Sequence, residues 1–523
     1  MSEAAFLAAI RNDPADDTPR LVFADWLEEH GQPVRAAFVR DQIALAKTDD
    51  ADPRYPELLA RTRRCGVLTD ASHRLECERG VTGAMFRRGF VAGVEGVGYD
   101  LPACDALPVE QLHLRTEHYQ VTGDIGPLLE RPELGRIHTL ALGSAWDLGA
   151  LDALLTGGCP QLAGLRALSV GESREEAAGL WDVIARAALP ALDSFALDFG
   201  IPPRYDDEDY EPTPNRDWSG FLPPNALRRL HLTGVDDTHS EWEWPGPDYN
   251  WLIESARWPA LEVADVTLYA NPISGTDYVE VMPPGLLFKR LAKSRLARLT
   301  INGSNLDRLL AAPDWGNVRS LAVHDRFNAA QLSWLFTHPQ AQKLEHLTLC
   351  GDHVWHDRFD FGNLPDVIRT PGLLPKLRRL SVRSELAALA NGSYRDHLLW
   401  LDVGTKGVFG EGWPALLKVP FPRLHRLTLD GFRGEQELEG LFTTENMPNL
   451  CTLRVGYFQA MSEDTLGELA RNPAMPHLSL VGVGSPYDEW RVLATGEDVP
   501  VVLGTLPLDE DWWEPDPLAT WFW

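Results

Sequence analysis

The sequence predicts an α/β solenoid preceded by a small helical module, and three observations carry that prediction. A short phrase recurs from about residue 109 to residue 480: an aliphatic residue, two variable residues, an aliphatic, one variable residue, an aliphatic. Successive copies stand 21 to 36 residues apart, mostly the length of one strand plus one helix. Most copies are preceded by an apolar stretch at helical spacing that is broken by proline, as in Val183-Ile184 before Pro190 and Leu335-Phe336 before Pro339. Proline stops the helix and releases the chain into the next strand.

The first 47 residues do not fit the phrase. Ser2 is placed to cap a helix carrying Phe6, Leu7 and Ile10, which the Asp13-Pro14 turn ends. Thr18-Pro19 starts a second helix with Leu21, Val22, Trp26 and Leu27, closed by Gly31. A third runs from about Val34 to Lys47 with Phe38, Val39, Ile43 and Leu45 for packing. Such a three-helix unit is too short to be very stable without help from its neighbour. Its carboxylates Asp16, Asp17, Asp25, Glu28 and Glu29 read as a solvated helix face with Asp well placed near a helix start, rather than as a metal or catalytic site.

Residues 48–80 form a polar connector with one helix expected at about Tyr55 to Arg64. Residues 81–99, rich in glycine and alternating apolars, predict a hairpin that caps the first repeat. The run Asp16-Asp17-Thr18-Pro19-Arg20-Leu21-Val22-Phe23-Ala24-Asp25-Trp26-Leu27-Glu28-Glu29-His30-Gly31 resembles the "repeat-companion" domain family of planctomycetes and other large-genome bacteria. Phe86-Arg87-Arg88-Gly89-Phe90-Val91 is similar to the phrase that links this domain to its repeats. The resemblance implies an architecture and no particular chemistry.

The phrase is unbroken in nine copies, among them Leu165/Leu168/Val170, Leu296/Leu299/Ile301, Leu347 with its flanking Leu344 and Leu349, Leu424/Leu427/Leu429 and Leu450/Leu453/Val455. Five copies are looser: Val109/Leu112/Leu114, Ile137/Leu140/Leu142, Leu192/Phe195/Leu197, Val263/Val266/Leu268 and Met475/Leu478/Leu480. Alternation inside each phrase marks a short strand whose i and i+2 side chains share one face. The pattern over 101–485 resembles the leucine-rich repeat family, which implies parallel strands on a concave face and helices on a convex one. The family's asparagine three residues past the last aliphatic is replaced by Ser173, Val235, Arg326 and Asp352, so an irregular horseshoe is expected. Residues 486–523 are left as a C-terminal cap or tail, with Trp512, Trp513, Trp521 and Trp523 expected to fold back over the last repeat.

A formal charge of −28 argues against nucleic-acid binding and against docking on anionic membranes. No stretch reaches the roughly 20 apolar residues a membrane helix needs, and no secretory leader is evident, so the cytoplasm is the expected compartment. Six scattered cysteines without a C-x-x-C pair favour free thiols. Phosphate loops, dinucleotide fingerprints and nucleophile elbows are absent from the sequence. The Cys350–Asp357 run, with His353 and His356, offers metal-ligand types, but a metal site needs them to converge and a post-strand loop can point them anywhere. We therefore expect no catalytic, cofactor or metal site.

Partner binding has a better address. Positions one before, one after and three after each central aliphatic line the concave face, and they hold Arg115, Arg229, Arg298, Arg379, Arg383, Arg426 and Arg454 against four aspartates. Tyr269 and Trp400 belong to the same rows. A basic face on an acidic body suits a protein partner with an acidic surface or segment, because arginine forms bidentate pairs with carboxylates. The long loops Tyr205–Glu211 and Glu241–Tyr249, the latter with Trp242 and Trp244, interleave aromatics with acids and are second candidates. The expected function is a non-enzymatic protein-binding scaffold. Two alternatives are an adaptor whose module recruits an effector, and an enzyme with its site in loops of about 200–285.

Overall fold

In a computed structural model the protein is an α/β structure whose strands form one largely parallel sheet. The structure describes residues 2–63, 81–97, 109–115, 132–142, 148–156, 160–170, 183, 186–187, 189–198, 227–233, 263–268, 296–302, 306–324, 327–350, 363–383, 389–404, 418–432, 445–457, 472–484, 491–494 and 503–505.

Three helices open the chain: α1 (Glu3–Asn12), α2 (Thr18–Glu29) and α3 (Pro33–Leu45). Ser2 precedes α1 without a side-chain cap bond. Asp16 performs that service for α2, its Oδ1 accepting the Thr18 N–H at 2.9 Å. Gly31 closes α2 with a φ of +78°, a value only glycine adopts without strain. Phe6, Ile10, Phe23, Leu27, Val39 and Ile43 bury one face, and Phe90 from the following hairpin completes that core.

The hairpin pairs β1 (Val81–Arg87) with β2 (Phe90–Val97). Its two turn residues, Arg88 and Gly89, both have positive φ, 52° and 86°, the signature of a tight hairpin turn. A Cβ on Gly89 would stand 2.5 Å from Val39 Cγ2, so glycine lets the turn lie against α3. Arg88 donates to the Ala15 carbonyl at 2.9 Å and meets Asp17 at 3.2 Å, which holds the turn on the α1–α2 loop.

From β2 the sheet grows by parallel addition. The strands are β3 (Gln111–Arg115), β4 (Thr139–Leu142), β5 (Ala167–Val170), β6 (Ser194–Asp198), β7 (Arg229–Thr233), β8 (Val263–Leu268) and β9 (Leu296–Asn302). They continue as β10 (Ser320–His324), β11 (His346–Cys350), β12 (Arg379–Arg383), β13 (Trp400–Gly404), β14 (Arg426–Phe432), β15 (Thr452–Tyr457) and β16 (Leu480–Gly484). Two antiparallel strands, β17 (Arg491–Ala494) and β18 (Leu503–Thr505), follow on the far edge.

The central aliphatics stack in register. One ladder runs Val94, Leu112, Leu140, Leu168, Phe195, Leu230. A second runs Val266, Leu299, Leu321, Leu347, Leu380, Leu401, Leu427, Leu453 and then Val481. Between them the register slips by two, since Leu232 rather than Leu230 lies beside Val266, and an irregularity at Ala264/Asp265 absorbs the offset toward β9. The last phrase also needs correcting: Leu478/Val481/Val483, not Met475/Leu478/Leu480, carries β16. Backbone bonding decides it, because the Ser479 N–H donates to the Cys451 carbonyl at 3.0 Å and so fixes where the strand begins.

The inward aliphatics form one continuous core with the helical segments that link the strands. Leu151 and Leu154, Leu309 and Leu310, Leu332 and Phe336, and Leu364 and Ile368 all pack into it. The Ala329–Thr337 helix shows the local logic: Asn328 and Gln331 cap it reciprocally at 2.9 Å each, and it stops before Pro339. Among the described residues, helices thus cover one face of the sheet and leave the other to the alternate side chains. Among the described residues, no helix is long and apolar enough to cross a membrane.

The connector after α3 does not trail free. It is helical from 55 to 63, and Leu45, Tyr55 and Leu59 are buried with Cys451. The Tyr55 ring stacks on His425, centroids 5.4 Å apart. Arg63, buried, donates to the Cys451 carbonyl at 3.1 Å and to Thr452 Oγ1 at 2.8 Å. Through α3 the N-terminal helices touch the first hairpin, and through the connector they touch the N-terminal ends of β14 to β16.

Candidate protein-binding face

Strand alternation sets this face. Because Leu380, Leu401 and Leu427 point into the core, the residues before them, Arg379, Trp400 and Arg426, point away from it on three neighbouring strands. Register places the three side by side, and the side chains use that proximity. Arg379 Cζ lies 3.4 Å from the centroid of the Trp400 ring and Arg426 Cζ lies 4.9 Å from it, so two guanidinium groups engage a single indole. Such contacts restrict the rotamers of both arginines and fix the directions in which their guanidinium planes lie.

His346 is the neighbour of Arg379 on β11. Burial, aided by the charges of Arg379, Arg298 and Arg378, pushes its pKa down to about 3. The ring is therefore neutral at pH 7 and adds a hydrogen-bonding group without adding to the repulsion among the arginines. Asp402 and Thr428 face each other in register in the adjacent row. Asp402 Oδ1 and Thr428 Oγ1 are both buried polar atoms without a hydrogen-bond partner among the described residues.

The residues expected at this face are distributed unevenly. Arg379, Trp400 and Arg426 come together, and Arg454 stands beside Thr428 on β15. Arg298 lies three strands from Arg379 but acts on the same His346 ring. Arg229 is exposed on β7, five strands away, which at a strand spacing of about 4.8 Å puts it well outside the cluster. Arg383 ends β12, with its side chain outside the described residues. Tyr269, Trp242 and Trp244 lie outside the described residues, as do the 205–211 loop, His353, His356 and the 509–523 tail. The acidic residues of the helical module are engaged internally: Asp25 and Glu28 bind Arg40 at 2.8 and 2.7 Å, and Asp17 binds Lys47 at 2.7 Å. Burial raises the pKa of the Cys451 thiol to about 12, which makes it unreactive.

Sequence reasoning missed the basic residues just ahead of β12 and β14. Arg378 and Arg423 sit there with Lys376, lining a cavity of about 370 Å³ together with Glu345, His397, Leu399 and Ala51. The connector supplies its far wall. Arg378 meets Asp50 at 2.9 Å and Asp49 at 3.5 Å, and Arg423 donates to the Ala51 carbonyl at 2.6 Å. Basic residues directly ahead of the phrase, Lys376 before Leu377 and Arg423 before Leu424, with Arg378 in the first variable position, were the available signal.

No family profile matches the chain, and no curated protein does. Among solved structures it is similar to a chain in the crystal structure of the Rad7 and Elc1 complex in yeast, at 12% identity and a TM-score of 0.35, over 88% of this chain and 96% of that one.

Proposed function

We propose that this chain is a non-enzymatic protein-binding scaffold, built as a leucine-rich repeat solenoid, whose concave face takes an acidic surface or segment of a protein partner. The observation that carries the reading is the Arg379–Trp400–Arg426 stack. Two preorganised guanidinium groups, on the strands either side of β13, match carboxylates a few ångströms apart on an extended segment. A net charge of −28 makes a long polyanion such as nucleic acid a poor occupant, whereas a short acidic segment meets only the local positive field.

Fluorescence anisotropy with a labelled ten-residue Asp/Glu peptide tests this. Wild-type protein should bind it with an affinity that falls as salt rises. Replacing Arg379 and Arg426 by alanine should weaken binding about tenfold or more and flatten the salt dependence. Trp400→Ala should give a smaller loss, since the arginines keep their charge and lose their support. Binding unaffected by these changes would remove the face from the site.

A further inference from the structure

The row ahead of the arginine stack is already met by acid from the chain itself. Asp49 and Asp50 stand at the tip of the connector and both contact Arg378, the residue immediately before Arg379. Asp50 also lies within the electrostatic reach of Arg379, whose guanidinium rests on Trp400. The tip is held there independently of these charges, by Arg423 on the Ala51 carbonyl and by Tyr55 against His425.

We infer that Asp49 and Asp50 form an internal competitor, occupying the edge of the basic face that an acidic partner segment would otherwise use. This rests on the function proposed above. Three physical points support it. A tethered carboxylate pair has a high effective concentration at its site, so it competes without needing intrinsic affinity. The contact is weak enough to be displaced, because the Asp49 side chain is 65% exposed and Arg378 42%, and half-solvated ion pairs contribute little. Burial raises the Asp50 pKa in spite of Arg378 and Arg379, so its carboxylate is held there at some cost. A partner presenting more carboxylates than this pair would take over the edge and engage the stack behind it.

The test uses the full-length protein and the same acidic peptide. Asp49→Asn with Asp50→Asn should bind it about three- to tenfold more tightly, as removal of one or two half-exposed competing pairs allows. Asp52→Asn with Glu57→Gln removes the same charge from carboxylates that pair with Arg54 and Arg61 instead, and should bind like wild type. The gain should vanish when Arg379 and Arg426 are alanine. If Asp49→Asn/Asp50→Asn binds no better than a wild-type protein that does bind, competition is refuted and the basic face stands. An equal gain in Asp52→Asn/Glu57→Gln would assign the effect to net charge and also refute it. If no form binds the peptide, the reading of the face itself fails, and this inference with it.

Discussion

Arg63→Met isolates the bonding that docks the connector on the end of the sheet. Arg63 is 7% exposed and donates to the Cys451 carbonyl, to Thr452 Oγ1 at 2.8 Å and, more weakly, to Ser479 Oγ at 3.4 Å. Methionine keeps much of the buried aliphatic length and removes the donors. The Cys451 carbonyl retains the Ser479 N–H at 3.0 Å, so it is not orphaned. Thr452, 3% exposed, loses a charge-assisted partner that water cannot easily replace. One such bond is worth about 1.5–3 kcal/mol and one under-satisfied buried hydroxyl about 1–3 kcal/mol, offset in part by the apolar side chain, which gives about 2–4 kcal/mol. Hydrogen exchange read by mass spectrometry is the assay, since peptides covering 55–63 should lose protection while the Leu321–Leu349 region stays protected. Unchanged exchange across 55–63 would show that Arg63 does not hold the connector in place.

Leu427→Ala should cost about 2–5 kcal/mol in denaturant unfolding, because Leu427 is fully buried between Leu401 and Leu453, whereas Thr428→Ala, on the opposite face, should cost far less. Equal effects would mean the strand phase is inverted. Stability should also fall on acidification from about pH 6.5. The folded pKa values of His346 and His425 are depressed to about 3 and about 4, so between these values and 6.5 the unfolded chain binds more protons. The slope is at most roughly 1.4 kcal/mol per pH unit for each ring, and His346→Gln with His425→Gln should reduce it. Denaturant midpoints from pH 7 to pH 4 that are the same for both proteins would contradict those depressions.

What the sequence made legible was set by hydrophobic phase. The unbroken phrases landed in register through β9 to β15 because each offers one aliphatic triplet and no competing one. Met475/Leu478/Leu480 failed because Leu478/Val481/Val483 fits the same pattern three residues later, and only backbone bonding to Cys451 chooses between them. Val266 sits at a register slip for a similar reason, since strand offsets depend on the partner strand and not on the phrase itself. Arg379, Trp400 and Arg426 were legible as members of one row, but their mutual contact required knowing that no register shift separates β12 from β14. The connector was the real surprise. Its composition reads as polar, yet Tyr55, Leu58 and Leu59 recur at helical spacing and announce a buried face that sequence averaging concealed. Where that face docks is a long-range question, with Cys451 388 positions after Arg63, and local pattern carries no information at that range.

A double-mutant cycle between the two arginines and the carboxylates of the acidic peptide, measured by calorimetry, addresses the central proposal most directly. Arg379→Ala with Arg426→Ala is combined with a peptide in which every Asp and Glu is replaced by Asn and Gln. Direct recognition predicts a coupling of about 1.5 kcal/mol or more between the two changes. Additive losses, with no coupling, would mean that the peptide's charges are read elsewhere on the protein.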